Sequence, residues 1–177
     1  THQYLVILIL FITLYTKVLC YRSLAIAIEY LMSITNIINT NKPNLIIGIG
    51  ASAGGLDAFI AFFSKVSSNT GMAFILIPHL DPNHQSLMAT LLQTRANIPV
   101  VEAKENMLVE ADHVYILPSG KEITVSDLHL HLNDIVQPRQ EWTAIDLFLS
   151  SLAKDQGERT VGIILSGTGC HGNIGLR

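Results

Sequence analysis

From residue 45 onward the chain alternates between two hydrophobic rhythms. Residues 45–49 (LIIGI) form a short unbroken apolar run, the pattern of a strand buried on both faces, and glycines follow at once. Leu56, Phe59, Ile60 and Phe63 then recur at i, i+3, i+4 and i+7, one face of a helix. Residues 73–77 (AFILI) are a second buried strand, ending in Pro78-His79. A helix starting near Asn83 is predicted to carry Leu87, Met88, Leu91 and Leu92 on one face. Residues 98–102 and 114–117 predict two more short strands, and residues 122–125 and 128–132 alternate apolar and polar across Ser126-Asp127, as in a hairpin. Thr143-x-x-Asp146 has the form of a capping box and opens a helix with Ile145, Phe148, Leu149 and Leu152 on its inner face. Residues 160–165 predict a last buried strand. Strands alternating with helices in this way predict an α/β fold, a three-layer α/β/α domain around a mainly parallel, doubly wound sheet.

The first forty residues have a different texture. Residues 4–15 are apolar apart from Thr13, a run shorter than the ~20 residues a helix needs to span a bilayer. Residues 23–38 predict a second apolar helix, and an Asn-rich linker leads to Pro43. The change of composition places a boundary there: residues 1–42 as an apolar segment and linker, residues 43–177 as the α/β domain. A membrane anchor, a helix packing on a partner and sequence foreign to the domain all fit the first segment. No basic stretch precedes it and no small-residue cleavage site follows, so a signal peptide is not supported. The chain begins at Thr1 and ends at Arg177 where a new helix would start, which reads as a domain truncated at its C-terminus.

Charge narrows the partners. Net charge is −3 with no basic stripe, which argues against nucleic acid. Two cysteines, Cys20 and Cys170, make no disulfide framework and suit a reducing, cytoplasmic setting.

The candidate chemistry sits at strand ends. Gly50-Ala51-Ser52-Ala53-Gly54 fits G-x-S-x-G, in which a strand-to-helix turn presents a serine hydroxyl, and the N–H of Ala53 is placed to help hold an oxyanion. The same stretch, Gly48-x-Gly50-x-x-Ala53, also matches the dinucleotide fingerprint, which asks for an acid at the end of the next strand. That strand ends in His79, which favours serine chemistry. The third strand-end loop is Gly167-Thr168-Gly169-Cys170-His171-Gly172. Ligands of open parallel sheets bind at the carboxyl ends of strands, so the three loops can share one crevice. Neither His129-x-His131 nor Cys170-His171 with His79 has the closed spacing of a zinc site, and no metal is expected.

Residues 47–55 (IGIGASAGG), 71–82 (GMAFILIPHLDP), 99–103 (PVVEA), 113–118 (HVYILP) and 161–169 (VGIILSGTG) stand together in an order that resembles the catalytic domain of the chemotaxis protein-glutamate methylesterases, the CheB family, and is most similar to the branch fused to a CheR-type methyltransferase. The resemblance implies a Rossmann-like domain that continues beyond Arg177. It also implies hydrolysis of glutamate methyl esters, and deamidation of glutamines, on the cytoplasmic helices of methyl-accepting chemotaxis receptors, with no cofactor. By motif match Ser52 would be the nucleophile, His79 the general base, and the backbone at Thr168 part of the oxyanion site. The family's third catalytic residue, an aspartate, aligns with His171. An imidazole there brings no negative charge, and loss of that charge in serine proteases costs roughly 10⁴ in kcat. The expectation is a weakened or inactive esterase, with a non-catalytic receptor-binding module as the rival and a nucleotide-binding domain behind it. Asp146 and Asp155 are the acids that could stand in, and the sequence places neither.

Overall fold

The computed structural model describes residues 6–7, 42–51, 55–78, 87–135 and 144–165. In chain order these form β1 (Val6–Ile7), β2 (Leu45–Ala51), α1 (Gly55–Phe63), β3 (Met72–Pro78), α2 (Met88–Gln93), β4 (Val100–Glu102), β5 (Met107–Leu108), β6 (His113–Ile116), β7 (Lys121–Ser126), β8 (His129–Asp134), α3 (Ala144–Gln156) and β9 (Thr160–Leu165). Six strands make one sheet in the order β1-β9-β2-β3-β6-β4, and every pairing in it is parallel. From β2 the chain moves to β3 on one side and later returns as β9 on the other, so the direction of winding reverses at β2. The remaining strands form a small antiparallel sheet, β5-β8-β7.

Alternation along β2 and β3 divides the core into two faces, because successive side chains of a strand point to opposite sides. Ile47, Ile49, Met72, Phe74 and Leu76 join Phe59, Phe62 and Phe63 of α1 and Met88 and Leu92 of α2. Within that face Phe62, Phe63 and Phe74 meet edge to face, with ring centroids 4.8, 5.2 and 6.1 Å apart, the arrangement aromatic quadrupoles favour. Ile46, Ala73, Ile75 and Ile77 turn the other way, toward Ile145, Phe148, Leu149 and Leu152 of α3 and toward Ile123, Val125 and Leu130 of the small sheet. The fold is thus the expected layered α/β domain with a parallel, doubly wound sheet, and one outer layer combines α3 with an antiparallel sheet.

Two polar ties fasten the end where the strands begin. Asp112, with φ of 58°, receives hydrogen bonds at Oδ1 from the Thr70 N–H (2.5 Å), the Thr70 hydroxyl (2.9 Å) and the Gly71 N–H (2.9 Å). Asp155, in the last turn of α3, accepts the N–H groups of Asp127 (2.7 Å) and Leu128 (3.1 Å). Those two residues form the β7–β8 turn, and both have positive φ, 50° and 62°, as tight hairpin turns require.

Several expectations are corrected. The hairpin turn is Asp127-Leu128, one residue later than Ser126-Asp127. Of the four residues assigned to one face of the second helix, Met88 and Leu92 are buried while Leu87 and Leu91 are exposed, because the described helix is one short segment beginning at Met88 and only its i, i+4 pair reaches the core. Residues 83–86, where the helix was expected to start, lie outside the described residues. Within the apolar run 4–15, Val6 and Ile7 are not helical but pair with Val161 and Gly162 at the outer edge of β9. Among the described residues no helix is long and apolar enough to cross a membrane.

Candidate active site

The last rung of β2 sets the geometry. Ala51 is the register partner of Pro78 on β3 and of Leu165 on β9. Neighbouring strands lie about 4.8 Å apart. Three adjacent strands therefore release the chain at one level, at the reversal point of a parallel sheet, where such folds bind ligands. The next residues in the chain are Ser52, His79 and Ser166. Ser52, Ala53, His79, Thr168 and His171, the residues singled out from the sequence, lie outside the described residues.

The elements that flank them in the chain are described. Three residues, Ser52 to Gly54, link the end of β2 to the start of α1 at Gly55. A strand before and a helix after the G-x-S-x-G segment is the order of elements in which that motif has its mechanical meaning. The start of α1 carries the positive end of that helix's dipole.

The glycines before the turn have a packing role. A Cβ on Gly48 would stand 2.6 Å from Cε1 of Phe148, and one on Gly50 would stand 2.9 Å from Cδ1 of Ile145. Both positions lie within β2 and let α3 settle directly on the backbone. In the dinucleotide fingerprint the first glycine makes the tight turn and the second admits a pyrophosphate. Here Gly48 is mid-strand, paired with Ile75 and Gly162, and the space above both glycines is filled by α3. The dinucleotide alternative is therefore not supported.

The acids separate by position. Helix α3 runs against the strand direction: Ile145 lies on Gly50, near the end of β2, while Asp155 holds the Asp127-Leu128 turn at the opposite end. Partial burial pushes the Asp155 carboxyl up, but hydrogen bonds from the Gln156 side chain and from the Leu128 and Asp127 N–H groups, with the charge of Arg159, hold it below its ordinary value. Asp155 is thus occupied at the Asp127-Leu128 turn, away from the rung of Ala51, Pro78 and Leu165. Asp146 is in the first turn of α3 and is 2% exposed. The other buried acid among the described residues is Glu122 on β7. Burial of Asp146 is the feature that sequence alone did not reveal.

His129 and His131 are each engaged locally. Nδ1 of His129 donates to the Asp127 carbonyl (2.8 Å) and Nδ1 of His131 to Glu105 (3.1 Å). The Glu105 carboxyl is held low by the Leu132 N–H and by His131. Among the described residues, no three His, Cys, Asp or Glu side chains gather as metal ligands.

A parallel, doubly wound sheet whose strands β9, β2 and β3 end on one rung defines a layered α/β domain with its direction of winding reversed at β2. The chain belongs to the CheB methylesterase family, whose model matches residues 47–177. It is 28% identical over 145 residues to a protein-glutamate methylesterase/protein-glutamine glutaminase of Desulfitobacterium hafniense, covering 76% of this chain and 36% of that one. It is 29% identical over 135 residues to the protein of the same description from Salmonella typhi, covering 74% and 38%. The chain thus spans well under half the length of these relatives. Among solved structures, the Thermotoga maritima CheB methylesterase catalytic domain superposes with a TM-score of 0.63 at 22% identity, covering 75% of this chain and 72% of that one, a likeness of fold.

Proposed function

We propose that the chain hydrolyses methyl esters of glutamate side chains on methyl-accepting chemotaxis receptors, with glutamine deamidation as a related activity of the same site. Ser52 Oγ attacks the ester carbonyl while His79 takes its proton. The oxyanion is held by backbone N–H groups around Ala53 and Thr168. The carbonyl–oxygen bond to the methoxy group breaks, His79 protonates the leaving methanol, and water repeats the sequence on the acyl-enzyme. No metal or organic cofactor enters any step. The catalytic unit is residues 43–177, preceded by the segment 1–42, and the setting is cytoplasmic, where the receptor helices are. A CheR-type methyltransferase, fused or separate, would supply the esters that this activity removes.

One observation carries the proposal: Ala51, Pro78 and Leu165 stand on a single rung, so the residues that follow them leave adjacent strands at one level. A receptor-binding module without turnover is the second reading, favoured by the absence of any acid from residues 166–172. Incubation with a methyl-esterified receptor fragment, reading methanol release, together with labelling by a fluorophosphonate serine probe, separates the two. Methanol release and labelling that both vanish in Ser52→Ala support the esterase. Receptor binding without labelling overturns it in favour of the module.

A further inference from the structure

The small antiparallel sheet has an inner and an outer face. Leu130 of β8 is fully buried and packs with Ile123 and Val125 of β7 in the core. Its neighbours His129 and His131 therefore stand together on the other face, because side chains alternate along a strand. Their register partners there are Ser126 and Thr124 on β7 and, for His129, Leu108 on β5, which is itself exposed. We propose that this outer face binds a divalent late transition-metal ion through Nε2 of His129 and Nε2 of His131, with water in the remaining positions. The site is separate from the proposed hydrolysis and does not depend on it: His129 adjoins the Asp127-Leu128 turn that Asp155 holds, away from the rung of Ala51, Pro78 and Leu165.

The hydrogen bonds behind the two rings carry the proposal. Nδ1 of His129 lies 2.8 Å from the Asp127 carbonyl oxygen, and Nδ1 of His131 lies 3.1 Å from Oε1 of Glu105. A carbonyl and a carboxylate can only accept, so each Nδ1 carries the hydrogen. In the neutral ring that leaves the lone pair on Nε2, the form in which an imidazole ligates a metal. A metal-binding histidine commonly has its other nitrogen tied in this way to a carboxylate or a backbone carbonyl, which fixes the ring and raises its basicity. Both supports are themselves anchored. Oε2 of Glu105 accepts the Leu132 N–H at 2.5 Å, and that bond, with the one from His131, holds the Glu105 carboxyl below its ordinary value. The Asp127 backbone is pinned by Asp155.

Spacing and access agree. Positions i and i+2 of a strand are about 7 Å apart, and two nitrogens on one ion lie about 3–4 Å apart at metal–nitrogen distances near 2.1 Å. Each ring thus leans by about 2 Å, a side-chain adjustment. The His131 side chain is 37% exposed, which lets an ion with its water reach the pair. His113 on β6 is an internal contrast. Its Nδ1 also faces a carbonyl, that of Ala111 (2.8 Å), but its ring stacks on Tyr115 and no second histidine stands two residues away. Two imidazoles with open positions suit Ni²⁺ and Cu²⁺ and do not suit Mg²⁺, which prefers oxygen ligands.

The test is a titration of the 177-residue chain, free of any polyhistidine tag, with Ni²⁺ alone. Paramagnetic broadening of each assigned imidazole resonance is the readout. His129 and His131 are expected to broaden together and at lower Ni²⁺ than His113, and Mg²⁺ in place of Ni²⁺ is expected to broaden neither. His129→Gln or His131→Gln is expected to weaken Ni²⁺ binding at the remaining imidazole about 10²-fold, because the second ligand acts intramolecularly. Glu105→Ala, which leaves both imidazoles in place, is expected to weaken it about 10–100-fold. Circular dichroism checks the fold of each variant. Broadening at His129 and His131 that begins no earlier than at His113 overturns the proposal. So does a folded single-histidine variant that binds within about threefold of the parent. The parent titration needs no variant, so it decides even where a substituted chain does not fold.

Discussion

The ring of Phe148 occupies the space where a side chain at Gly48 would begin, with 2.6 Å between Cε1 and an ideal Cβ at that position. Leu149 and Leu152 crowd the same point at 3.0 and 3.3 Å. Gly48→Ala is therefore expected to push α3 off the sheet or force Phe148 from its rotamer, at a cost of about 1–3 kcal/mol. A lower melting temperature, partly recovered when Phe148→Leu is added, is the expected result.

The same close packing bears on ligands. Since α3 covers the glycines that a dinucleotide would need, millimolar NAD or ATP is expected to leave the melting temperature unchanged, because a ligand raises it only by binding the folded state. A concentration-dependent upward shift would restore the nucleotide reading.

Asp112 gathers three donors from Thr70 and Gly71 at one carboxylate oxygen. Asp112→Gly keeps the freedom that a φ of 58° requires while removing the acceptor. It is expected to cost about 2 kcal/mol or more, since hydrogen bonds to a charged group are worth about 1.5–3 kcal/mol each and are not additive. Urea denaturation of parent and variant measures this directly.

Asp155 gives a pH dependence with a definite sign. Its carboxyl is held below its ordinary value of 3.8 in the folded chain. The stabilisation it contributes is thus fully present above the unfolded value and disappears as pH falls through the lower, folded one. Thermal melts at stepwise lower pH, from about 5 downward, are expected to show a steeper loss for the parent chain than for Asp155→Asn. Equal slopes would place the acid sensitivity elsewhere.

Much of the fold was legible because its strands are buried on both faces. Residues 45–49, 73–77 and 160–165 are apolar runs with nothing else to become, and α3 was marked by the spacing of Ile145, Phe148, Leu149 and Leu152. The second helix was misread because Leu87 and Leu91 share the periodicity of Met88 and Leu92 without sharing their burial. Strand β5 was missed because two residues, Met107 and Leu108, carry no pattern; only pairing with His129 and Leu130 defines them. The hairpin turn slipped by one residue because a leucine in left-handed backbone sends no local signal, and the turn is held from a distance by Asp155. At the candidate site, chain order and motif pointed to Ser52 and His79. The register joining Ala51, Pro78 and Leu165 is a tertiary fact, as is the placement of Asp146 and Asp155 at opposite ends of one helix.

The ties at Asp112 and Asp155 both lie where the strands begin, away from Leu165 at the end of β9. The anchoring ties thereby sit at the pole opposite the rung of Ala51, Pro78 and Leu165. Side chains beyond that rung are therefore expected to be exchangeable without loosening the scaffold.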